Sequence, residues 1–304
     1  MLHPCRIDTM TSTHEPHYAP LWYWIREREA IRRKKEDLGA TAPWTSDSIL
    51  ATYRFCNVRR EDDLVTRWIH EHVRLPYADH PMLWFMLCIC RQVNWPAALA
   101  ELIETRGAWP SHEEFSARTL GTVLNARKTR GEKVYTGAYM ISAPAERGAD
   151  KQAYIAEVVL GDLHRRAHEF GRGADWDGRT LQLTHELIRR SRGWGFFMAY
   201  QAVVDMRFSW HLLQHAPDKT SWAAAGPGTI RGLNRLHGRD VDARLTQEQA
   251  LREMRAIYAL VENATDVPMD FSDVPNVLCE TDKYLRAQLD QGRPRARYVP
   301  GRGS

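Results

Sequence analysis

Apolar residues along this chain recur mostly at spacings of three and four, and this periodicity predicts helices. The first run covers residues 19–37, where Leu21, Trp24 and Ile25 lie on one side and Arg and Lys residues occupy the other. The polar stretch at 45–48 offers N-cap residues for the next helix. Further helical patterns begin near Arg60 and cover residues 81–91, 96–105, 111–127, 152–170, 180–190, 196–215, 228–236, 246–262 and 276–289.

Strand signals are sparse. The clearest is the stretch from Lys133 to Ile141, which could form a short strand or an extended turn. We therefore predict an all-α protein with short connections and no internal repeat. Residues 1–18 are expected to be a flexible lead-in, residues 19–290 a single helical domain, and residues 291–304 a disordered basic tail. The tail could also make loose contacts with phosphates.

Composition narrows the class of protein. Hydrophobic residues make up 43% of the 304 residues, enough for a sizeable core, and the formal net charge is only +4. The five cysteines include no C-x-x-C pair, so neither a disulfide framework nor a structural zinc site is predicted. No apolar run has the length or position of a signal peptide or membrane span, and we expect a cytoplasmic protein, in the host cytoplasm if a phage encodes it.

The most informative local motif is a glycine-rich stretch at residues 225–236, which opens a helix. Gly226 and Gly228 would let the backbone turn tightly, and the amides that follow, including that of Thr229, could donate to a phosphate. Arg231 and Arg235 add positive charge one turn apart. The stretch resembles the second half of a helix-hairpin-helix element near 210–236, as in base-excision DNA glycosylases. The alternative is an ordinary glycine-rich helix start.

An acidic constellation follows the hairpin. Asp270 or Asp273 stands at a distance comparable to that of the functional Asp in helix-hairpin-helix glycosylases. On the next helix, reactive or charged side chains recur at spacings of three or four, and burying them requires partners. A structural ladder of ion pairs is the alternative reading. The candidate catalytic residues are Asp273, Cys279, Glu280, Asp282 and Lys283.

Two further segments supply candidate substrate-binding residues. In residues 53–63, an arginine cluster beside a carboxamide suits a phosphate or pyrophosphate, although a solvated helix start would look similar. In residues 193–205, aromatic and polar side chains could face a pocket and stack on an extruded base, although such a stripe is more often core. The candidates are Arg54, Asn57, Arg59, Arg60, Asp63, Tyr200, Gln201 and Asp205.

Taken together, these segments resemble a known set of proteins. The stretches 43–50 and 54–63 look like the helical domain found with 5-hydroxymethyluridine DNA kinases. They are also similar to phage α-glutamyl/putrescinyl thymine pyrophosphorylases and amino acid:DNA transferases. Three more stretches fit the same set: 134–139, 195–201 and 278–284. The first of these adds Tyr139 as a substrate-binding candidate. The resemblance spans residues 20–287 and implies a helix-hairpin-helix glycosylase-like fold.

The resemblance implies a transferase that acts on double-stranded DNA in which hydroxymethyluracil carries a pyrophosphate ester. An amine, such as an amino acid or a polyamine like putrescine, would displace the pyrophosphate, with glycine as the first guess. No G-x-x-x-x-G-K-[ST] motif occurs, so an upstream DNA kinase would have to supply the ester. No cofactor is required, although Mg²⁺ could accompany the pyrophosphate, and the His164/His168 and His211/His215 pairs alone do not predict a metal site.

The hypothetical mechanism extrudes the modified base into a pocket. The arginines of residues 54–60 would hold the departing pyrophosphate, and Asp273 or Glu280 would accept a proton from the amine. Cys279 or Cys56 could add to the pyrimidine ring. Two other functions use the same features: a DNA glycosylase that releases a modified base, and a noncatalytic DNA-binding partner of a separate kinase.

Overall fold

The computed structural model describes residues 17–111, 115–136, 150–294 and 296–298. Within these ranges the protein is built from helices, and extended pairing is limited to an isolated bridge between Tyr53 and Arg297. The all-α prediction is therefore confirmed. Tyr139 and most of the predicted strand or extended turn lie outside the described residues.

The helices are distributed along the whole described chain. Short π-helical turns (Arg33–Asp37, His70–Arg74, Tyr154–Leu160) and 3-10 turns (Arg60–Asp62, Ala167–Glu169, Gly173–Trp176, Phe271–Asp273) extend or connect them. The α-helices are α1 (Ala19–Arg32), α2 (Ser48–Thr52), α3 (Leu64–Ile69), α4 (Leu83–Val93), α5 (Pro96–Glu104), α6 (Ala117–Thr129), α7 (Lys151–Ala153), α8 (Gly161–Arg165), α9 (Leu181–Arg189), α10 (Phe196–Arg207), α11 (Pro227–Leu236), α12 (Gln247–Ala264) and α13 (Val274–Gln288).

Local capping explains where several helices begin. The Asp47 carboxylate accepts the amides of Ile49 and Leu50, both at 2.9 Å, so the polar stretch predicted to cap α2 does so. At α12, Thr246 and Gln249 exchange side-chain and backbone hydrogen bonds as a capping box. These caps satisfy amides that have no partner inside the helix, and they fix the helix start from nearby sequence.

Two predicted helices are shorter in the structure. The pattern over 152–170 is interrupted by the π-helical turn before α8, where the Trp194 indole donates to the Val159 carbonyl at 3.2 Å. The pattern over 196–215 ends at Arg207, where the Ser209 hydroxyl bonds the Asp205 carbonyl at 3.3 Å. In both places a side chain competes for a carbonyl that a regular helix would use.

Two hydrophobic clusters form the core, and α10 contributes to both. The larger cluster joins residues of α4, α5, α6, α9 and neighbouring segments. The smaller one joins α1, α2, α11, α12 and α13. Along α10, Val203 and Met206 belong to the larger cluster, while Tyr200 and Val204 belong to the smaller one. Among the described residues, no helix is both long and apolar enough to cross a membrane.

Helices α11 and α13 are packed unusually close together. A Cβ atom on Gly232 would lie 2.3 Å from the Leu278 carbonyl oxygen, and one on Gly228 would lie 2.3 Å from the Cys279 Sγ. A side chain at Gly232 would thus clash with backbone, and one at Gly228 would require the Cys279 side chain to move. The two glycines, four residues apart on one face of α11, therefore set the distance between the helices.

The C-terminal segment differs from the predicted disordered tail at residues 296–298. The Arg54 amide donates to the Ala296 carbonyl at 3.0 Å, and the Tyr298 amide donates to the Thr52 carbonyl at 2.8 Å. Backbone pairing of this kind does not depend on side-chain hydrophobicity, so the Arg-, Pro- and Gly-rich composition did not reveal it.

Candidate functional site

The stretch 54–63 lies against α13 and is held by two of its side chains and by Asp273, just before its start. Glu280 accepts the Cys56 amide at 3.0 Å, and the Asn276 side chain donates to the Asn57 carbonyl at 3.0 Å. Asp273, which precedes the first residue of α13, accepts the Arg60 amide at 2.8 Å. Two constellations that are about 200 residues apart in sequence are thus brought together, as the hypothesis of a shared site requires.

Asp273 is the carboxylate with the most unusual electrostatic environment. It is buried, with 3% of its surface exposed, and its second oxygen accepts the Asp270 amide at 2.9 Å. Burial raises its pKa to about 7, against the opposing effects of the Arg60 amide and of the arginines Arg60, Arg207 and Arg59. At neutral pH such a group can both accept and release a proton.

Asp273 lines a cavity of about 260 Å³, whose apolar residues Phe208 and Met269 pack against the smaller hydrophobic cluster. Arg207, at the end of α10, forms an ion pair with Asp270 across it. The Arg59 guanidinium lies 3.6 Å from Glu61 and 3.9 Å from Asp62, so these carboxylates hold it loosely. The lining residues are Arg59, Glu61, Arg207, Phe208, Pro268, Met269, Asp270 and Asp273.

Two of the three candidates on α10 lie close to this cavity. The Arg60 guanidinium donates to the Gln201 side chain at 2.7 Å, so Gln201 orients an arginine next to Asp273. Tyr200 is buried, and its hydroxyl has no hydrogen-bond partner among the described residues. Burial raises the pKa of this phenol, with Arg60, Arg207 and Asp273 as its charged neighbours.

Asp205, the third candidate on α10, is committed elsewhere. Both of its oxygens accept hydrogen bonds from Arg91 on α4, at 2.5 and 2.6 Å. Arg91 also donates to Thr66 and Asn94. Because this network is completely buried, Asp205 joins helices rather than facing a substrate cavity.

The other candidates of residues 53–63 do not share one location: some stabilise the loop, and Arg54 lines another cavity. Asn57 is buried; its side chain accepts from Arg28 at 2.5 Å and donates to the Asp62 carbonyl at 2.7 Å. Its amide donates to Asp63 at 2.9 Å, and burial raises the pKa of that carboxyl. Arg54 lines a different cavity. Asn57 therefore stabilises the loop, and the predicted phosphate cluster is divided between two cavities.

The remaining catalytic candidates on α13 point to two different neighbours. Glu280 accepts from Lys283 at 2.8 Å beside residues 55 and 56, whereas Asp282 faces α11 and accepts from Arg231 at 3.0 Å and Arg235 at 2.8 Å. These are the ion pairs expected from the alternative reading of the stripe. Arg231 keeps about a third of its side chain exposed, while Arg235 is largely buried.

The two cysteine candidates are poor thiolates. Burial raises the pKa of Cys279 to about 11, with Glu280 adding to the effect. For Cys56, close packing of the thiol and the charge of Glu280 raise the pKa well above its usual value, although the residue retains exposed surface. A covalent step through either sulfur would need a base that removes the proton.

The glycine-rich start of α11 is shaped differently from the predicted tight turn. Gly226 has an extended backbone (φ −78°, ψ 174°), and Gly228 serves the contact with α13. The Thr229 hydroxyl donates to the Pro275 carbonyl at 3.0 Å, so this side chain is not available to DNA. The same bond places the start of α11 beside the first turn of α13, close to Asp273.

Three contributors were missed by the sequence analysis. The Gln247 carboxamide bonds both the amide and the carbonyl of Ala225 at 3.0 and 2.8 Å, which fixes the turn before α11. Gly232 was detectable from its spacing of four after Gly228. Arg207 had no sequence signal, because its role depends on where α10 ends.

Comparison with known proteins places this chain in a family. The family model described as "5-hmdU DNA kinase, helical domain" matches residues 15–293, which include both hydrophobic clusters and the Asp273 cavity. The chain belongs to this family. The match covers the part of the sequence on which the resemblance was based.

A curated relative agrees with the family match. A protein of Bacillus phage SP10 named "5-hmdU DNA kinase" is 24% identical over 232 residues, which are 70% of this chain and 36% of that protein. The chain thus spans about a third of the length of this relative. No solved structure matches.

Proposed function

We propose that this protein modifies thymine-derived bases in DNA, by replacing the pyrophosphate of a 5-pyrophosphoryloxymethyl-uracil with an amine. The proposal rests mainly on Asp273, a buried carboxyl with a pKa of about 7 that lines a cavity together with Arg59 and Arg207. The family match supports a role on DNA that carries 5-hydroxymethyluracil or its derivatives.

The chemistry requires a proton acceptor. The amine nitrogen forms a bond to the 5-methylene carbon, and the bond between that carbon and the pyrophosphate oxygen breaks with its electron pair. The nitrogen must lose a proton, and ionised Asp273 would accept it. With a pKa of about 7, a large fraction of this carboxyl is ionised at neutral pH and it remains basic enough to take the proton.

The leaving group requires positive charge. Arg59 is the most available cation, because its nearest carboxylates lie beyond hydrogen-bonding distance. Arg207 would exchange its contact with Asp270 for a phosphate oxygen. Arg60, bound to Gln201, would help to position Asp273 through its amide. Mg²⁺ could add to this charge by binding the pyrophosphate itself.

The DNA would approach at the start of α11. Amides in the first turn of a helix have no partner within it, and they favour a phosphate together with the helix dipole. The partly exposed Gly228 supplies such an amide, whereas Thr229 is buried, and Arg231, with about a third of its side chain exposed, stands one turn further on. Because Thr229 bonds Pro275, a strand held there is next to Asp273, and an extruded base could enter the cavity.

A second candidate function is that of a DNA-binding partner without turnover. It is favoured by the ion pairs of Glu280, Asp282 and Asp205, which leave two catalytic candidates and one substrate-binding candidate engaged in structure. It is also compatible with a chain that spans a third of a DNA kinase. The Asp273 cavity has no explanation under this function.

The test is a single-turnover assay. The protein is incubated with a duplex that carries one 5-(pyrophosphoryloxymethyl)-2′-deoxyuridine and with glycine, other amino acids or putrescine, and the DNA is digested to nucleosides for mass spectrometry. We expect a nucleoside heavier by one amine unit and release of pyrophosphate. Asp273→Asn should lower the rate at least about 100-fold, whereas Asp177→Asn, at an exposed position, should not.

The dependence of the rate on pH distinguishes Asp273 as a proton acceptor from Asp273 as a purely structural residue. If ionised Asp273 is the acceptor, its contribution is lost as the pH falls through about 7, and Asp273→Asn removes this inflection. An unchanged nucleoside with every amine would exclude the transferase, and tight DNA binding would then favour the noncatalytic partner. An abasic site would indicate a glycosylase instead.

A further inference from the structure

A second cavity, larger than the one at Asp273, shares none of its described lining residues with it. Its volume is about 340 Å³, against about 260 Å³ for the Asp273 cavity. It lies within the smaller hydrophobic cluster, between α1, the loop 42–45, α2 and the start of α3, with Tyr298 of the C-terminal segment on one side. The proposed amine transfer does not use this space.

Aromatic side chains form much of the wall. The rings of Trp44 and Tyr298 meet edge to face, with centroids 5.5 Å apart at an interplanar angle of 75°. Phe55 and Tyr53 add two more rings. A flat ring is the shape that fits among such surfaces, because aromatic faces attract the face or edge of another π system.

The charged side chains of the wall are mainly positive. Among the described residues, four cations and two carboxylates line the cavity, an excess of two positive charges when all are ionised. One carboxylate, Glu36, is already neutralised by Arg67 at 2.8 Å. Burial raises the pKa of the other, Asp63, so this carboxyl carries less negative charge and repels a bound anion less. The cations are Arg28, Lys35, Arg54 and Arg67.

Lys35 is the cation best placed for a ligand. Its ammonium lies 5.8 Å from the Trp44 ring centroid and 5.7 Å from that of Tyr298. None of the ion pairs in the described part of the chain involves Lys35. A phosphate bound there would be next to the aromatic wall that holds its ring.

We propose that this cavity binds a single nucleotide, with its base against Trp44 and Tyr298 and its phosphate at Lys35. The volume is near the lower end of the range for small-molecule sites, about 300–1,000 Å³, so one base with its sugar and phosphate is the fitting size. The nucleotide can be a free one or one unstacked from a DNA strand, because both present the same base and phosphate.

The C-terminal segment completes the site. Tyr298 reaches the cavity because residues 296–298 pair with Thr52 and Arg54 through backbone hydrogen bonds of 2.8 and 3.0 Å. Tyr298 belongs to neither hydrophobic cluster, so it can be removed without disturbing the core. This makes it a suitable position for a test.

The test is calorimetric titration of the full chain with thymidine 5′-monophosphate and, separately, with a short single-stranded oligonucleotide. Tyr298→Ala and Lys35→Ala should each weaken binding about tenfold, since a base–aromatic contact is typically of this order. The matched controls Trp210→Ala, 64% exposed, and Lys128→Ala, on α6, should bind as the parent does.

Saturable binding of the monophosphate that both variants weaken would identify free nucleotides as ligands. Binding of the oligonucleotide alone, weakened by the same variants, would identify a nucleotide held in a strand. The proposal is overturned if no probe binds, or if every probe binds the variants as tightly as the parent chain. Because the experiment measures binding, its result does not depend on whether the protein catalyses amine transfer at the Asp273 cavity.

Discussion

Asp205 provides a sharp test of whether a predicted substrate residue is structural. Its side chain is 0% exposed, and its two oxygens accept from Arg91 at 2.5 and 2.6 Å. Replacing Asp205 with Asn removes the negative charge but leaves the arginine inside the protein. Two further hydrogen-bond partners of Arg91, Thr66 and Asn94, are neutral.

The expected loss of stability is large because most of it comes from the uncompensated charge of Arg91 and less from the missing hydrogen bonds. Breaking one partner of a buried ion pair typically costs about 3–5 kcal/mol. For a domain of this size, 1 kcal/mol corresponds to about 2 °C in Tm, so Asp205→Asn should melt about 6–10 °C lower than the parent. Thermal unfolding followed by circular dichroism measures this shift, and urea unfolding provides a second estimate.

The control removes both charges. In the double variant Arg91→Met, Asp205→Leu, both charges of this pair are removed together, and most of the lost stability should return. The reasoning is refuted if Asp205→Asn melts within about 2 °C of the parent, or if the double variant is no more stable than the single one. A double variant that is stable yet loses turnover would instead return Asp205 to the candidate site.

Three further outcomes follow from the contact between α11 and α13. Gly232→Ala should destabilise the protein by about 1–3 kcal/mol or more, because the new Cβ would lie 2.3 Å from the Leu278 carbonyl oxygen. Gly195→Ala, which has open space around it, should change the stability little. Urea unfolding of the two variants compares them. Arg231→Ala should weaken duplex binding and lower the salt slope by about one, and an unchanged slope would remove this residue from the DNA contact. Cys279→Ser should retain turnover, since a thiol with a pKa of about 11 is protonated at neutral pH; a loss above about 100-fold would restore the covalent step.

Local sequence was a good guide to the helices. Apolar spacing predicted α1, α4, α11, α12 and α13 close to their observed bounds, and polar residues before α2 identified its cap. These features depend on residues within about one turn of each other, so a linear pattern contains them. Where a distant or neighbouring side chain captured a carbonyl, as Trp194 and Ser209 do, the pattern overestimated the helix.

The candidate site was predicted less evenly. The early arginine segment and the acidic helix were both identified, and they do lie together, with Asp273 bonded to Arg60. Which charged side chains remain available for chemistry could not be predicted in this way. Asp282 pairs with Arg231, and Asp205 with Arg91, across intervals of 51 and 114 residues.

Spacing along a helix says which residues share a face, and composition says that a buried charge needs a partner, but neither says which partner is near. That depends on how the helices pack. Here the packing is set by contacts such as Gly232 against Leu278, which bring distant residues to within hydrogen-bonding distance. The helices and the types of reactive residue therefore follow from local sequence. Packing decides which of those residues form ion pairs and that the buried Asp273 lines a cavity, because electrostatic pairing acts over a few ångströms of space and not along the chain.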